Sequence, residues 1–184
     1  MSLFEFLMIL LSIIIGLGIA ELLTGIASVI REGRLSQMDI AHWALFFTMF
    51  LVLLQIFWES WSLNALTSWT FPAMVLMLLA PVFVHLVTHL MFPQDTQTDL
   101  ADHYYGKARA IYTLLIFTAV AGVLFRPLAF GYDIFVIDNL STAPVLVALI
   151  ILAWTDNRLV HRILAPLCLI AVAIDTLAIS FIIS

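Results

Sequence analysis

Apolar runs at 3–30, 39–66, 70–92, 103–125 and 158–184, parted by short polar breaks, constrain this chain more than any other feature. Each has the roughly 20 residues that a helix needs to cross a bilayer. With 64% hydrophobic and only 10% charged residues among 184, no water-soluble fold of this size could hide the apolar surface. The expected fold is therefore all-α, a polytopic transmembrane bundle of about six helices, forming one integral membrane domain over 1–184 with the lipid bilayer as its first partner. Little chain remains outside the membrane, so the chemistry belongs to membrane depth or to short loops.

Helix punctuation agrees with the runs. A capping-box-like Ser36 to Asp39 precedes the second. Thr70 can cap the third, and Pro72 suits its first turn. Arg126-Pro127 closes the fourth, and Asp156 or Asn157 caps the last. The stretch 128–155 is less regular. Thr142 followed by Pro144 reads as a helix start, and the helix from there to Thr155 would be only about 20 Å long. The piece 128–140 is then expected to dip into the membrane as a broken or re-entrant segment, so 128–144 should not be one continuous helix. The first run lacks a basic leader and carries Glu5, so it reads as a spanning helix and not as a signal peptide.

Basic residues orient the bundle. With both termini outside, the inner loops hold Arg31, Arg34, Lys107, Arg109, Arg158 and Arg162, and the outer side only Arg126. Trp58, Trp61 and Trp69 then mark the outer interface, with Trp43 and Trp154 at the inner one. Seven Lys and Arg without a basic stripe exclude nucleic acid as a partner. A single cysteine, Cys168, excludes an intramolecular disulfide and a CxxC redox pair.

Polar residues inside apolar helices are the candidate functional groups, because hydrocarbon cannot hydrate them. Glu21 lies well inside the first helix. His85 and His89 are one turn apart on the third, with Pro81 on the same stripe to kink it. Counting from helix midpoints at about 1.5 Å per residue puts Glu21 and His85 at similar depth, so they are expected to meet inside the bundle. Two imidazoles one turn apart can hold a divalent metal, provided a third ligand such as Glu21 or His42 arrives from another helix; haem ligation is a separate reading of the same histidines. Hydrogen bonds to carbonyls and a proton relay are the competing readings. A second set comprises Gln55, Glu59 and Asp175. Asp133 and Asp138 fall in the irregular segment near Arg126, as salt-bridge partners or as a vestibule for cations. In Phe130-Gly131-Tyr132-Asp133 a single Gly-Tyr pair is too little for a carbonyl-lined cation filter.

Ser12, Gly16, Ala20 and Thr24 recur every four residues on the first helix, a spacing that lets helices approach closely, within the bundle or between copies of a homo-oligomer. No HExxH, GxSxG, P-loop or GxGxxG is present, which removes the common hydrolase and nucleotide-binding classes. Five histidines are too few for the several boxes of a membrane desaturase.

The elements Leu3-Phe4-Glu5-Phe6, Gly16-Leu17-Gly18 with Glu21-Leu22-Leu23, and Trp69-Thr70-Phe71-Pro72 resemble a group of short, uncharacterised bacterial membrane proteins, over about the first half of the chain. The resemblance implies a bacterial inner membrane and assigns no activity. Three functions remain open: a channel or transporter for protons, cations or a small solute, a membrane metal or haem protein, and a non-catalytic assembly subunit.

Overall fold

The computed structural model describes residues 3–65, 69–95, 97–131 and 137–180. They form α1 (Leu3–Arg31), α2 (Ile40–Glu59), α3 (Phe71–Met91), α4 (Leu100–Phe130), α5 (Ile137–Trp154) and α6 (Arg158–Ser180), with 3-10 turns at Leu35–Gln37 and Ser60–Ala65. No strand occurs among the described residues. Five helices are long and apolar enough to span a membrane, and the apolar part of α5, Thr142–Trp154, is shorter. The chain is a multi-pass α-helical membrane protein.

Local chemistry sets the boundaries. The Asp39 carboxylate accepts from the Ala41 N–H at 3.1 Å and starts α2. The cap is thus Asp39 itself, while Ser36 lies in the preceding 3-10 turn. Thr70, Asp99 and Asn157 cap α3, α4 and α6 in the same way. Gly33, at φ 68°, closes α1, where the Arg34 N–H bonds the Val29 carbonyl at 3.0 Å. A positive φ of this kind is the usual helix stop, and only glycine takes it without strain.

Two boundaries differ from the sequence reading. The fourth helix does not stop at Arg126-Pro127 but runs on to Phe130, ending at Gly131 with φ 69° and a Gly131 N–H to Pro127 carbonyl bond of 2.9 Å. Pro127 removes one donor, yet it sits in the last turn, and its carbonyl still serves the cap. Likewise α5 begins at Ile137, so Pro144 lies inside the helix and does not start it. The path 128–144 is broken, as expected, with the break at Gly131. The rest of the expected re-entrant piece, 132–136, lies outside the described residues.

The main contacts are α3 with α4, α2 with α6, α4 with α5, and α1 with α3. Alternating direction makes α1 and α3 parallel to one another, and α2 parallel to α6. One end of the bundle gathers the end of α1 and the starts of α2, α4 and α6. Arg31, Arg34, Lys107, Arg109, Arg158 and Arg162 lie in these segments, and this end is called basic below. Buried Leu11, Ile15, Leu45, Met49, Leu53, Val84, Ile111, Leu115 and Leu152 fill the core. Buried Ala41, Ala44, Ala108, Ala153 and Ala165 let the helices close up.

Candidate polar sites in the membrane

Three polar groups interrupt the apolar helices, two inside the bundle and one on its surface. The first is buried near the basic end between α2, α4 and α6. The Tyr104 and Tyr112 hydroxyls are 2.7 Å apart, and Tyr104 lies 3.2 Å from His161 Nδ1. His161 Nε2 is 3.0 Å from the Thr155 carbonyl. A carbonyl only accepts, so Nε2 carries the proton and Nδ1 is left as an acceptor. Tyr104 then donates to His161 and accepts from Tyr112. The chain is directed, Tyr112 to Tyr104 to His161 to Thr155, and it rises toward the basic surface.

His42 stacks on Tyr104 with centroids 5.5 Å apart and also faces the Phe92 ring. It is fully buried, and neither ring nitrogen makes a hydrogen bond of ordinary geometry, although the Met91 carbonyl approaches it. Above this cluster, ion pairs tie α6 to its neighbours: Arg162 to Asp39 at 2.7 Å, and Arg158 to Asp102 at 2.7 Å. Arg158 also lies over the Tyr105 ring, 4.7 Å from its centroid. Burial would raise the Asp39 carboxyl, but the Arg162 guanidinium and the Ala41 N–H outweigh it and hold it below the usual carboxylate value. Just past the end of α1, hydrogen bonds from Ser28 and Arg34 lower Glu32.

The second group joins α2 to α6 at the far end. Gln55 Nε2 donates to Glu59 Oε1 and to Asp175 Oδ2, both at 2.9 Å. The Thr176 hydroxyl faces Gln55 Oε1 at 3.1 Å and its own Val172 carbonyl at 2.8 Å. Gln55, Glu59 and Asp175, grouped from sequence as a second polar set, are joined by hydrogen bonds through Gln55.

The third group lies on the α1–α3 surface. Glu21 does not meet His85. Its Oε1 is 2.8 Å from Nδ1 of His89, one turn further along α3. Midpoint counting erred because α1, with 29 residues, extends past the end of α3, with 21. Nor is the pair interior, since the Glu21 side chain is 39% exposed and that of His89 50%. Gln94 reaches His89 Nε2 at 3.5 Å. His85 is partly buried, and its Nδ1 has no hydrogen bond. Among the described residues no three His, Cys, Asp or Glu side chains converge on a metal position, so His85, His89, His42 and Glu21 do not form the three-ligand metal site considered from sequence.

Ser12, Gly16, Ala20 and Thr24 are all exposed, which rules out packing inside their own bundle. Asp133 lies outside the described residues, as do the side chains of Arg126 and Asp138. Sequence reading overlooked Tyr104, Tyr112 and His161. The available signal was two tyrosines eight residues apart in a spanning helix, and a histidine one turn beyond the cap of α6. No protein-family model, curated protein or solved structure matches this chain.

Proposed function

We propose that this protein moves protons, alone or coupled to a small solute or cation, along the seam between α2, α4 and α6. One observation carries the reading: α2 and α6 run parallel, joined through Gln55 and Asp175, and both carry hydrogen-bonding groups at seven-residue spacing. On α6 these are His161, Cys168 and Asp175, and on α2 Thr48 and Gln55. Seven residues are nearly two turns, so each set lies on one face. The Tyr112–Tyr104–His161 chain supplies one end of a path, and the Gln55–Glu59–Asp175 group the other.

Between the two groups, buried apolar side chains such as Met49 on α2 and Leu115 on α4 leave a dry gap that water must enter for current to flow. Such a gap suits a gated or coupled path better than an open pore. The expected setting is a bacterial inner membrane, and the family is the group of short bacterial proteins resembled by the first half of the chain.

Proteoliposomes with a trapped pH dye test the reading. Wild-type protein should carry protons under a potassium diffusion potential. Asp175→Asn and His161→Ala should each lower the rate at least tenfold, with Arg109→Ala unchanged. Rates equal to protein-free vesicles, with and without a sodium or potassium gradient, would sink the proposal. A second reading, an assembly subunit, is favoured by the outward face of α1.

A further inference from the structure

The Glu21–His89 pair sits where a monomer would have to show it to lipid. Trp69 packs with the cluster around Leu7, and Trp43 with the one that includes Ile26. Tryptophans collect at the membrane interfaces. From Leu7 to Ile26 is about 28 Å of helix, close to the thickness of a hydrocarbon core. Glu21 is then about 7 Å inside the nearer belt. An acid and an imidazole, each more than a third exposed at that depth, meet the Gln94 amide on the loop side and lipid on the other. Polar and ionisable groups in a membrane are covered by protein or a wet cavity.

Lipid-facing surface elsewhere on the bundle looks different. The exposed stripe of α6, with Ile163, Leu167, Ile170 and Ile174, is wholly aliphatic. The exposed face of α1 also carries Ile9, Ile13, Leu17 and Leu23, but a stripe of Ser12, Gly16, Ala20 and Thr24 runs through them, with Glu21 at the α3 rim. A Cβ built at Gly16 meets nothing within 4 Å.

We propose that this face is the contact between two copies of the chain, related by a two-fold axis along the membrane normal, with α1 against α1. Copies in one membrane share an orientation, so the axis sets the two α1 helices parallel and like residue against like. Small residues at Gly16 and Ala20 then allow a close crossing. The Glu21–His89 pair is self-complementary. Gln94 already lies 3.5 Å from the outer ring nitrogen of His89, but a second copy offers a hydrogen-bond donor to the other Glu21 carboxylate oxygen, which lipid tails cannot do. An aliphatic partner would cover the stripe but leave the pair unanswered. The inference concerns a different face from the proton path and stands or falls without it.

The test uses the full chain with Cys168→Ala, labelled and reconstituted at large lipid excess. Expected are two-step photobleaching, oxidative cross-linking of Gly16→Cys into a dimer, and none for Ile174→Cys. Gly16→Ile should weaken dimerisation at least tenfold, and Glu21→Ala with His89→Ala should weaken it several-fold with the helix content unchanged. Single-step bleaching at every protein density overturns the proposal. So does cross-linking of Ile174→Cys as efficient as that of Gly16→Cys, or Gly16→Cys joining only to a different protein in native membranes.

Discussion

Direction in the Tyr112–Tyr104–His161 chain makes unequal demands on its members. Tyr112→Phe removes the first donor, but Tyr104 still donates to His161, so the cost should be about 1 kcal/mol. Tyr104→Phe strands the Tyr112 O–H and His161 Nδ1 together, and each buried orphan costs about 1–3 kcal/mol. The larger loss should thus follow from the middle residue, which reversible unfolding in mixed micelles would measure, and equal losses would refute the assigned direction. Asp39 gives a pH dependence of known sign. Its folded carboxyl titrates below the ordinary 3.8, so the stability it contributes is present above that value and lost as pH falls through and below it. Arg162 is half exposed, which limits the pair to about 1 kcal/mol. Asp39→Asn keeps an α2 cap while losing the charge. The variant should flatten the acid limb of a stability–pH curve between pH 5 and 2 by about that amount, and an unchanged limb would show that Arg162 contributes nothing.

Close approach between elements is most acute at Gly25, where a Cβ would collide with the Phe92 ring. That ring is held on its other side by His42, with centroids 5.5 Å apart. Helix propensity favours Gly25→Ala by about 1 kcal/mol, whereas overpacking costs about 1–3 kcal/mol. Overpacking should win, and Phe92→Leu in the same chain should restore most of the loss. If Gly25→Ala alone stabilises, then the ring moves freely and the contact is slack. Helix existence was legible because apolar run length and the caps at Asp39, Thr70 and Asn157 are local signals. The end of α4 and the start of α5 were not, because a proline near a helix terminus is tolerated when its carbonyl serves the cap, as at Pro127. Gln55, Glu59 and Asp175 were legible as polar residues in apolar helices. Their meeting was not, since the parallel packing of α2 on α6 is a tertiary fact. The Glu21 partner slipped by one turn for the same reason, because the overhang of α1 past the end of α3 is a tertiary fact that counting from midpoints does not see.

Across the whole molecule, charge decides which way the bundle sits. The basic end is salted with acids, and Asp39, Asp102 and Glu32 pair with Arg162, Arg158 and Arg34. Orientation nevertheless follows the count of Lys and Arg near span ends, with Asp and Glu contributing little. Six basic residues then stand against Arg126 alone, and the basic end should face the cytoplasm. Ser36 at that end and Ser62 at the other are both exposed in 3-10 turns, so each can carry a cysteine without disturbing a helix. In a Cys168→Ala background, a membrane-impermeant maleimide added to intact cells should label Ser62→Cys and spare Ser36→Cys until the membrane is opened. The orientation also fixes the polarity of the proposed path: protons would enter from outside at Glu59 and Asp175, near the exposed Trp58 and Trp61, and leave to the cytoplasm through His161. Labelling of Ser36→Cys in intact cells would invert the bundle and that polarity with it, while labelling of both from one side would break the six-helix alternation itself.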